Sequence, residues 1–224
     1  FSIAGQALQK SIWSLDLIDI KEFGITKHKN VDDIQYGGGN GLVMRPDVLG
    51  CALDKAIETS GSKKIYYFSP RGKPFTQSLA REIVEQKNVI FLCGRFEGID
   101  ERVIDEYNAT EISVGDFVLS GGETAALVVL DACVRLIPGV LANSDTLVEE
   151  SFATEGVLKG LLEYPLYTRP ALWKGREVPD ILVSGDHAKV QAWRIAEAKK
   201  VTQNKRPDLW EKYNSSTKAN GKHN

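Results

Sequence analysis

The stretch EISVGDFVLSGGE (residues 111–123) begins as a short apolar strand, breaks at two glycines and leads into an apolar segment with helical spacing. A glycine pair at a strand-to-helix turn lets backbone amides come close to a ligand, and phosphates often occupy such turns. Two earlier segments share this form. KIYYFSPRG (residues 64–72) and NVIFLCGRFEG (residues 88–98) are also apolar runs ending in loops rich in Gly, Pro or Ser. Residues 75–86 read as a helix between the first two runs, and residues 100–106 as a short helix before the third. Continuously apolar strands alternating with helices predict an α/β fold whose parallel sheet is covered on both faces. Ligands of such sheets gather beyond the carboxyl ends of the strands, and all three loops fall at that edge.

Working outward, residues 1–10 have helical spacing, residues 15–20 resemble a strand, and residues 47–59 place Val48, Cys51, Ala52, Ala56 and Ile57 on one side of a helix. VDDIQYGGGNGLVM (residues 31–44) holds four glycines in five residues, which predicts a mobile loop permitting close backbone approach. The apolar run at 125–141 is interrupted by Asp131 and Arg135, so it reads as a helix half buried in protein and not as a membrane span. ANSDTLVEE (residues 142–150) is polar and largely without periodicity, as a linker would be. The expected organisation is a ligand-binding domain over 1–141, a linker over 142–150 and a small, mainly helical domain over 151–224. NSSTKANGKHN (residues 214–224) reads as a disordered tail.

Charge divides along the same line. Residues 1–150 carry 15 basic and 22 acidic side chains, net −7, whereas residues 151–224 carry 13 and 8, net +5. Only the second part is prepared for a polyanion. Cys51, Cys93 and Cys133 are odd in number and widely spaced, which argues against a disulfide framework or a structural zinc site and for buried, reduced thiols in a cytoplasmic protein.

Common signatures are missing. There is no phosphate loop of the Gly-x-x-x-x-Gly-Lys-Ser/Thr type, and Leu42 spoils a Gly-x-Gly-x-x-Gly reading of the glycine run. His28, His187 and His223 are too scattered to propose a metal site. Arg71, Lys73 and Arg95 are the only cations in the three loops, too few for a pyrophosphate. A cationic or uncharged headgroup such as a sulfonium would suit them better, since Glu97, Asp116 and Glu123 would not repel it.

VDDIQYGGGNGLVM, SPRGKPF, CGRFEGIDERV, EISVGDFVLSGGE, RLIPGVL, ESF, LLEYPLYTRP, VPDILVSGDHAKVQAWR and RPDLW occur in this order along the chain. Together they resemble the bacterial tRNA (guanine-N1)-methyltransferases, the TrmD family of the SPOUT superfamily. The resemblance implies a parallel sheet containing a deep trefoil knot, an unusual topology that pattern alone would not suggest. It assigns the three loops to S-adenosylmethionine. Tyr67, Phe68, Ser69 and Pro70 match from the first loop, and Gly94 and Glu97 from the second. Ser113, Val114, Gly115, Asp116, Phe117, Val118, Leu119, Gly121 and Gly122 match from the third. Core packing is the competing reading for the side chains of Val114, Phe117 and Leu119.

The implied reaction is methyl transfer to N1 of guanine 37 beside the tRNA anticodon. That nitrogen carries a proton which a base must take while charge develops on O6, work suited to a carboxylate and a guanidinium. The family's arginine matches Arg135, on the helix that opens after Gly122, although an Asp131–Arg135 surface pair is the plainer reading of that spacing. The family's aspartate, the general base, falls at Glu150, one methylene longer. Glu97 completes the catalytic set. The family is a homodimer whose active site joins two subunits, and its second domain holds the anticodon stem-loop. Arg169, Lys189, Arg194, Lys205 and Arg206 are the candidate RNA contacts. Magnesium is associated with the family's reaction, but the sequence offers no ligand cluster for it.

Several positions depart from the family pattern: Phe96 and Phe117 stand where tyrosines are usual, Gln35 where proline is usual, and ATEGVLKG (residues 153–160) is longer than expected. Three alternatives are weighed. A SPOUT enzyme acting on another RNA site should lack the YTRP and SGDHAKVQAWR features. A non-catalytic RNA-binding module is disfavoured by the retained Arg135, Glu97 and carboxylate at 150, and a dinucleotide oxidoreductase by the missing fingerprint.

Overall fold

The computed structural model describes residues 2–143 and 146–220. The chain divides into two compact units, Phe1–Ala142 and Asn143–Asn224.

The first unit is built on a three-stranded parallel sheet in the order β4-β3-β5, with β3 at Ile65–Pro74, β4 at Ile90–Leu92 and β5 at Thr110–Ser113. The first five residues of β3 are all buried, because a central strand covered on both faces has no solvent side. Alternation sends Ile65 and Tyr67 to one face, where they meet Leu92 from β4. Leu49 and Leu53 arrive there from α2 (Pro46–Ser60), and Val103 and Ile104 from α4 (Glu101–Tyr107). Tyr66 and Phe68 set their rings edge-on to Phe91, with centroids 6.1 and 5.4 Å apart. The helices α3 (Gln77–Glu85) and α5 (Gly122–Val134) pack on each other, and α5 packs on β3. Their buried face is small-sided: Ala80, Ile83, Ala125, Ala126 and Val129.

Local chemistry fixes the helix ends. Pro46 opens α2 in the first turn, where its missing N–H costs nothing, and Gly61 closes it in the left-handed conformation. The Thr76 hydroxyl accepts the Leu79 N–H at the start of α3, and the Asp100 carboxylate accepts the Arg102 N–H at the start of α4. A short helix α1 (Ile3–Gln9) packs on α5, and two short antiparallel strands, β1 (Asp32–Ile34) and β2 (Leu42–Met44), flank the glycine-rich loop.

Two expectations fail here. Residues 15–20 are not a strand: they run without regular structure into a 3₁₀ turn at Ile20–Phe23, and Leu17 is 85% exposed. The alternation of Leu and Asp there mimics a half-buried strand, but no neighbouring strand pairs with it. The tail read as disordered is instead helical as far as Asn220, within α8 (Pro207–Asn220), where the Ser215 and Ser216 hydroxyls bond back to Glu211 and Tyr213 carbonyls. Residues 221–224 lie outside the described residues.

The second unit carries one helical turn, α6 (Thr146–Glu149), within the segment read as a linker. It also holds a two-stranded hairpin, β6 (Leu172–Trp173) with β7 (Arg176–Glu177), and the long helices α7 (His187–Lys205) and α8. Its core is Leu158, Leu161, Tyr164 and Ala198, backed by Trp193, Trp210 and Tyr213. Thr202 is fully buried; its hydroxyl donates to the Ala198 carbonyl and accepts the Leu162 N–H at 2.9 Å, tying the 158–164 segment to α7. Among the described residues no helix is long and apolar enough to cross a membrane.

Candidate active site

The carboxyl ends of β3, β4 and β5 enclose a cleft of about 200 Å³, and the three loops singled out in the sequence form its walls. Tyr67, Phe68, Ser69 and Pro70 line it from β3, Gly94 to Gly98 from the second loop, and Ser113, Val114, Gly115, Phe117, Val118, Leu119, Gly121 and Gly122 from the third. Asp116 is exposed and does not border the cleft.

The cleft depends on residues without side chains. A Cβ on Gly122 would lie 2.8 Å from the Cys93 Cα and 3.0 Å from the Gly94 nitrogen, both main-chain atoms. The two loops are stitched there by a 2.8 Å bond from the Gly122 N–H to the Gly94 carbonyl. A Cβ on Gly94 would press on the buried Tyr67 ring at 2.9 Å. Burial raises the Tyr67 phenol above its ordinary range, so it stays neutral beneath the loop. Gly72 crosses β5 so closely that any side chain would overlap the backbone of Glu111 and Ile112. After looping out at residues 69–72, the chain pairs with β5 a second time, Lys73 opposite Ile112 and Pro74 opposite Ser113.

Two of the three cations in these loops are already engaged. Arg71 pairs with Glu101 at 2.9 Å and Glu111 at 3.2 Å, and Arg95 pairs with Glu123 at 2.8 Å. Burial, and then Glu123, push the Cys93 thiol up to about 11, whereas Cys51 is exposed, contrary to the expectation of buried thiols. An anionic ligand would therefore find little uncommitted positive charge, whereas main-chain donors, acceptors and apolar surface are abundant.

Glu97 is at the cleft mouth, with its N–H donating to the Leu42 carbonyl at 3.0 Å. Its carboxylate and Cγ pack on Gly41, where any side chain would overlap them. The glycine-rich loop thus sets where this carboxylate sits. Gln35, which stands where the family pattern has proline, braces the same loop through a 3.2 Å bond from its amide to the Asn40 carbonyl.

Arg135 lies elsewhere. It caps the C-terminal end of α5, whereas Gly121 and Gly122 begin that helix at the cleft. At about 1.5 Å per residue, the 13 residues of α5 separate the two by roughly 20 Å, beyond an arginine's reach. Within one chain, α5 leads Arg135 away from the three loops.

Glu150 belongs to the second unit and sits in an acidic group with Glu149 and Glu163. Glu163 is raised above the usual carboxylate range, first by burial and then by Glu150 and Glu149, with Arg194 opposing. Arg194, expected as an RNA contact, places its guanidinium 4.9 Å above the Tyr164 ring and 3.7 Å from the Glu149 carboxylate. Lys189 and Arg206 pair with Asp186 and Asp208, and Arg169 and Lys205 are exposed. The inward role of Arg194 leaves no mark in its local sequence, because Tyr164 and Glu149 are distant in sequence. Among the described residues no group of three or more His, Cys, Asp or Glu side chains is arranged to hold a metal ion.

Comparison with known proteins agrees with this geometry. Residues 1–212 match the family described as tRNA (Guanine-1)-methyltransferase TrmD. The tRNA (guanine-N(1)-)-methyltransferases of Rickettsia rickettsii (strain Sheila Smith) and Rickettsia prowazekii (strain Madrid E) are each 57% identical to this chain, over 93% of it and 89% of their own length. That of Rickettsia bellii (strain RML369-C) is 50% identical over the same shares. The chain belongs to the tRNA (guanine-1)-methyltransferase TrmD family.

Proposed function

We propose that the protein methylates N1 of guanine 37 in tRNA, beside the anticodon, using S-adenosylmethionine bound in the cleft at the carboxyl ends of β3, β4 and β5. The observation that carries this reading is the cleft's main-chain construction, with Gly94 and Gly122 packed so closely that an added Cβ would strike the Tyr67 ring or the Cys93 backbone. Such a site suits an adenosine and a methionine moiety held by amides and carbonyls, and its committed cations suit a sulfonium better than a phosphate. When bound, the cofactor supplies an electrophilic methyl group. The chain's own residues do the rest. Phe117 and Leu119 give apolar cover, and Glu97 faces the cationic centre from the cleft mouth. Glu150 takes the N1 proton, and Arg135 stabilises the charge that develops on O6.

Arg135, about 20 Å from the cleft of its own chain by helix geometry, is better placed to serve a neighbouring one, which supports a homodimeric enzyme with composite sites. Leu127 and Val128, 66% and 52% exposed on α5, are apolar surface of the kind a subunit contact would cover. The trefoil knot is likewise part of this reading, and the close crossing of Gly72 over β5 suits it. Residues 1–141 would be the knotted catalytic domain, 142–150 the linker, and 151–224 the RNA-holding domain, in a cytoplasmic enzyme. Arg169, Lys189, Lys205 and Arg206 would meet anticodon-stem phosphates; the local pairs of Lys189 and Arg206 are exposed and individually weak. The described residues gather no ligand set for magnesium, so no step is assigned to it.

The test is methyl transfer from labelled S-adenosylmethionine to tRNA transcripts bearing guanine or adenine at position 37. Labelling of the guanine transcript alone is expected; equal labelling of both, or of neither, refutes the reading. Glu150→Gln should lower turnover by about 10²–10⁴-fold while cofactor binding persists. Turnover like the wild type by that variant removes Glu150 from the role.

A further inference from the structure

A second concavity lies within the second unit. It has a volume of about 400 Å³ and is lined by residues 166–171, Trp173, Arg176, Glu177 and Val178. The hairpin that forms one wall turns at Lys174 and Gly175, both at positive φ (53° and 76°), as a tight turn of two residues requires. That turn sets Trp173 directly opposite Arg176 in the β6–β7 register. Cross-strand partners share a face, so the indole and the guanidinium stand side by side. The other wall carries Tyr167, whose ring rests 6.2 Å from that of Trp193 on α7, and Arg169.

Two properties distinguish this groove from spare surface. Its aromatic rings are left open, with Tyr167 49% and Trp173 59% exposed, although burying them against protein would be favourable. Its charge is one-sided: Arg169, Lys174 and Arg176 face a single acid, Glu177, over residues 166–178. Lys174 sits 4.9 Å from the Trp173 ring centroid, which keeps a cation beside the ring without a carboxylate to neutralise it. Open aromatic faces interleaved with cations are what single-stranded nucleic acid requires, since every base has a face to stack and every nucleotide a phosphate. An apolar protein segment would leave the cations unmatched, and a small anion would not use the rings.

We propose that this groove binds one unstacked nucleotide of the RNA substrate, its base against Tyr167 and Trp173 and its phosphate on Arg169 and Arg176. The proposal rests on the reading of the chain as an RNA-modifying enzyme. Trp173 and Arg176 become substrate-binding residues, and the groove sets affinity for RNA and not the rate of the chemical step.

The experiment uses the full chain and an anticodon stem-loop carrying 2-aminopurine at single loop positions other than 37. The wild type should quench the fluorescence at one position, and Trp173→Ala should abolish that quenching and weaken RNA binding about tenfold. Trp173→Phe, which keeps a ring, should restore affinity to within about twofold of the wild type. Arg176→Gln should lower the slope of log affinity against log salt by about one, a change Trp173→Ala should not produce. In methylation assays the alanine variant should raise KM for tRNA with little change in kcat. Unchanged quenching and affinity in Trp173→Ala overturns the proposal. So does a shift in its sedimentation with RNA binding intact, which would make the groove a protein contact. Because stem-loop binding is read without turnover, a wild type that binds through Trp173 but methylates nothing refutes the proposed function and leaves the groove standing.

Discussion

Replacing Gly122 by alanine tests the cleft's construction at its tightest point. The added methyl would sit 2.8 Å from the Cys93 Cα, 3.0 Å from the Gly94 nitrogen and 3.2 Å from the Cys93 carbonyl carbon. All three neighbours are main-chain atoms, so no rotamer change relieves the overlap. Reaching an ordinary carbon–carbon separation of about 3.5–4.0 Å requires the second loop and the start of α5 to part by roughly 1 Å. That opening breaks the 2.8 Å bond between the Gly122 N–H and the Gly94 carbonyl. Overpacking costs about 1–3 kcal/mol and the lost hydrogen bond about 1 kcal/mol more. At roughly 2–4 °C per kcal/mol for a chain of this size, the melting temperature should fall by about 4–16 °C. Calorimetry reads that shift, and titration calorimetry with S-adenosylmethionine should show affinity reduced about tenfold or more, because a 1 Å displacement of a binding loop misaligns every main-chain contact. Gly61→Ala is the control. It carries a positive φ of 66° with nothing within 4 Å of its added methyl, so it should cost about 1–2 kcal/mol of backbone strain and leave cofactor affinity untouched. A Gly122→Ala protein that melts within about 1 °C of the wild type and binds the cofactor as tightly would refute the close-packed cleft.

The acidic group around Glu150 gives two further predictions. Glu163 is raised in the fold, so the folded state binds its proton more tightly than the unfolded one and the charged form is disfavoured at neutral pH. Glu163→Gln should therefore be more stable than the wild type at pH 7 by chemical denaturation. The advantage should shrink as pH falls through the raised value and vanish below the ordinary 4.5, where both states are protonated; a gap independent of pH would contradict this. Arg194→Met removes the cation that lowers Glu163 and stacks on Tyr164. It should raise the Glu163 value further, seen by carboxyl NMR titration, and destabilise the protein by about 1 kcal/mol. An unmoved titration would show that Arg194 faces solvent.

The parallel sheet and its three loops were legible because the central strand β3, buried over its first five residues, and its partly buried neighbours β4 and β5 each end in a loop rich in Gly, Pro or Ser. The helices between them were readable to within two residues, since caps such as Thr76 and Asp100 leave a local mark. Features made by distant residues were not. Nothing in the local sequence says that Gly41 meets Glu97, or that Arg194 turns inward to Tyr164 and Glu149. The helix read over 125–141 is present but ends at Val134, and its consequence for Arg135 emerged only once Gly122 was fixed at the cleft. Residues 15–20 misled for the opposite reason: their alternation is correct for a strand, but a strand needs a neighbour.

A pocket walled by peptide groups has a consequence for inhibition. Resistance usually arises when a target exchanges a side chain that the inhibitor touches and keeps its own activity. Here Gly94 and Gly122 cannot take on a side chain without striking the Tyr67 ring or the Cys93 backbone, and Gly115 holds a φ of 150° that a side chain would strain. A competitor that reads the amides and carbonyls of these loops offers point mutations little to alter, and most exchanges that would exclude it would also damage the cleft itself.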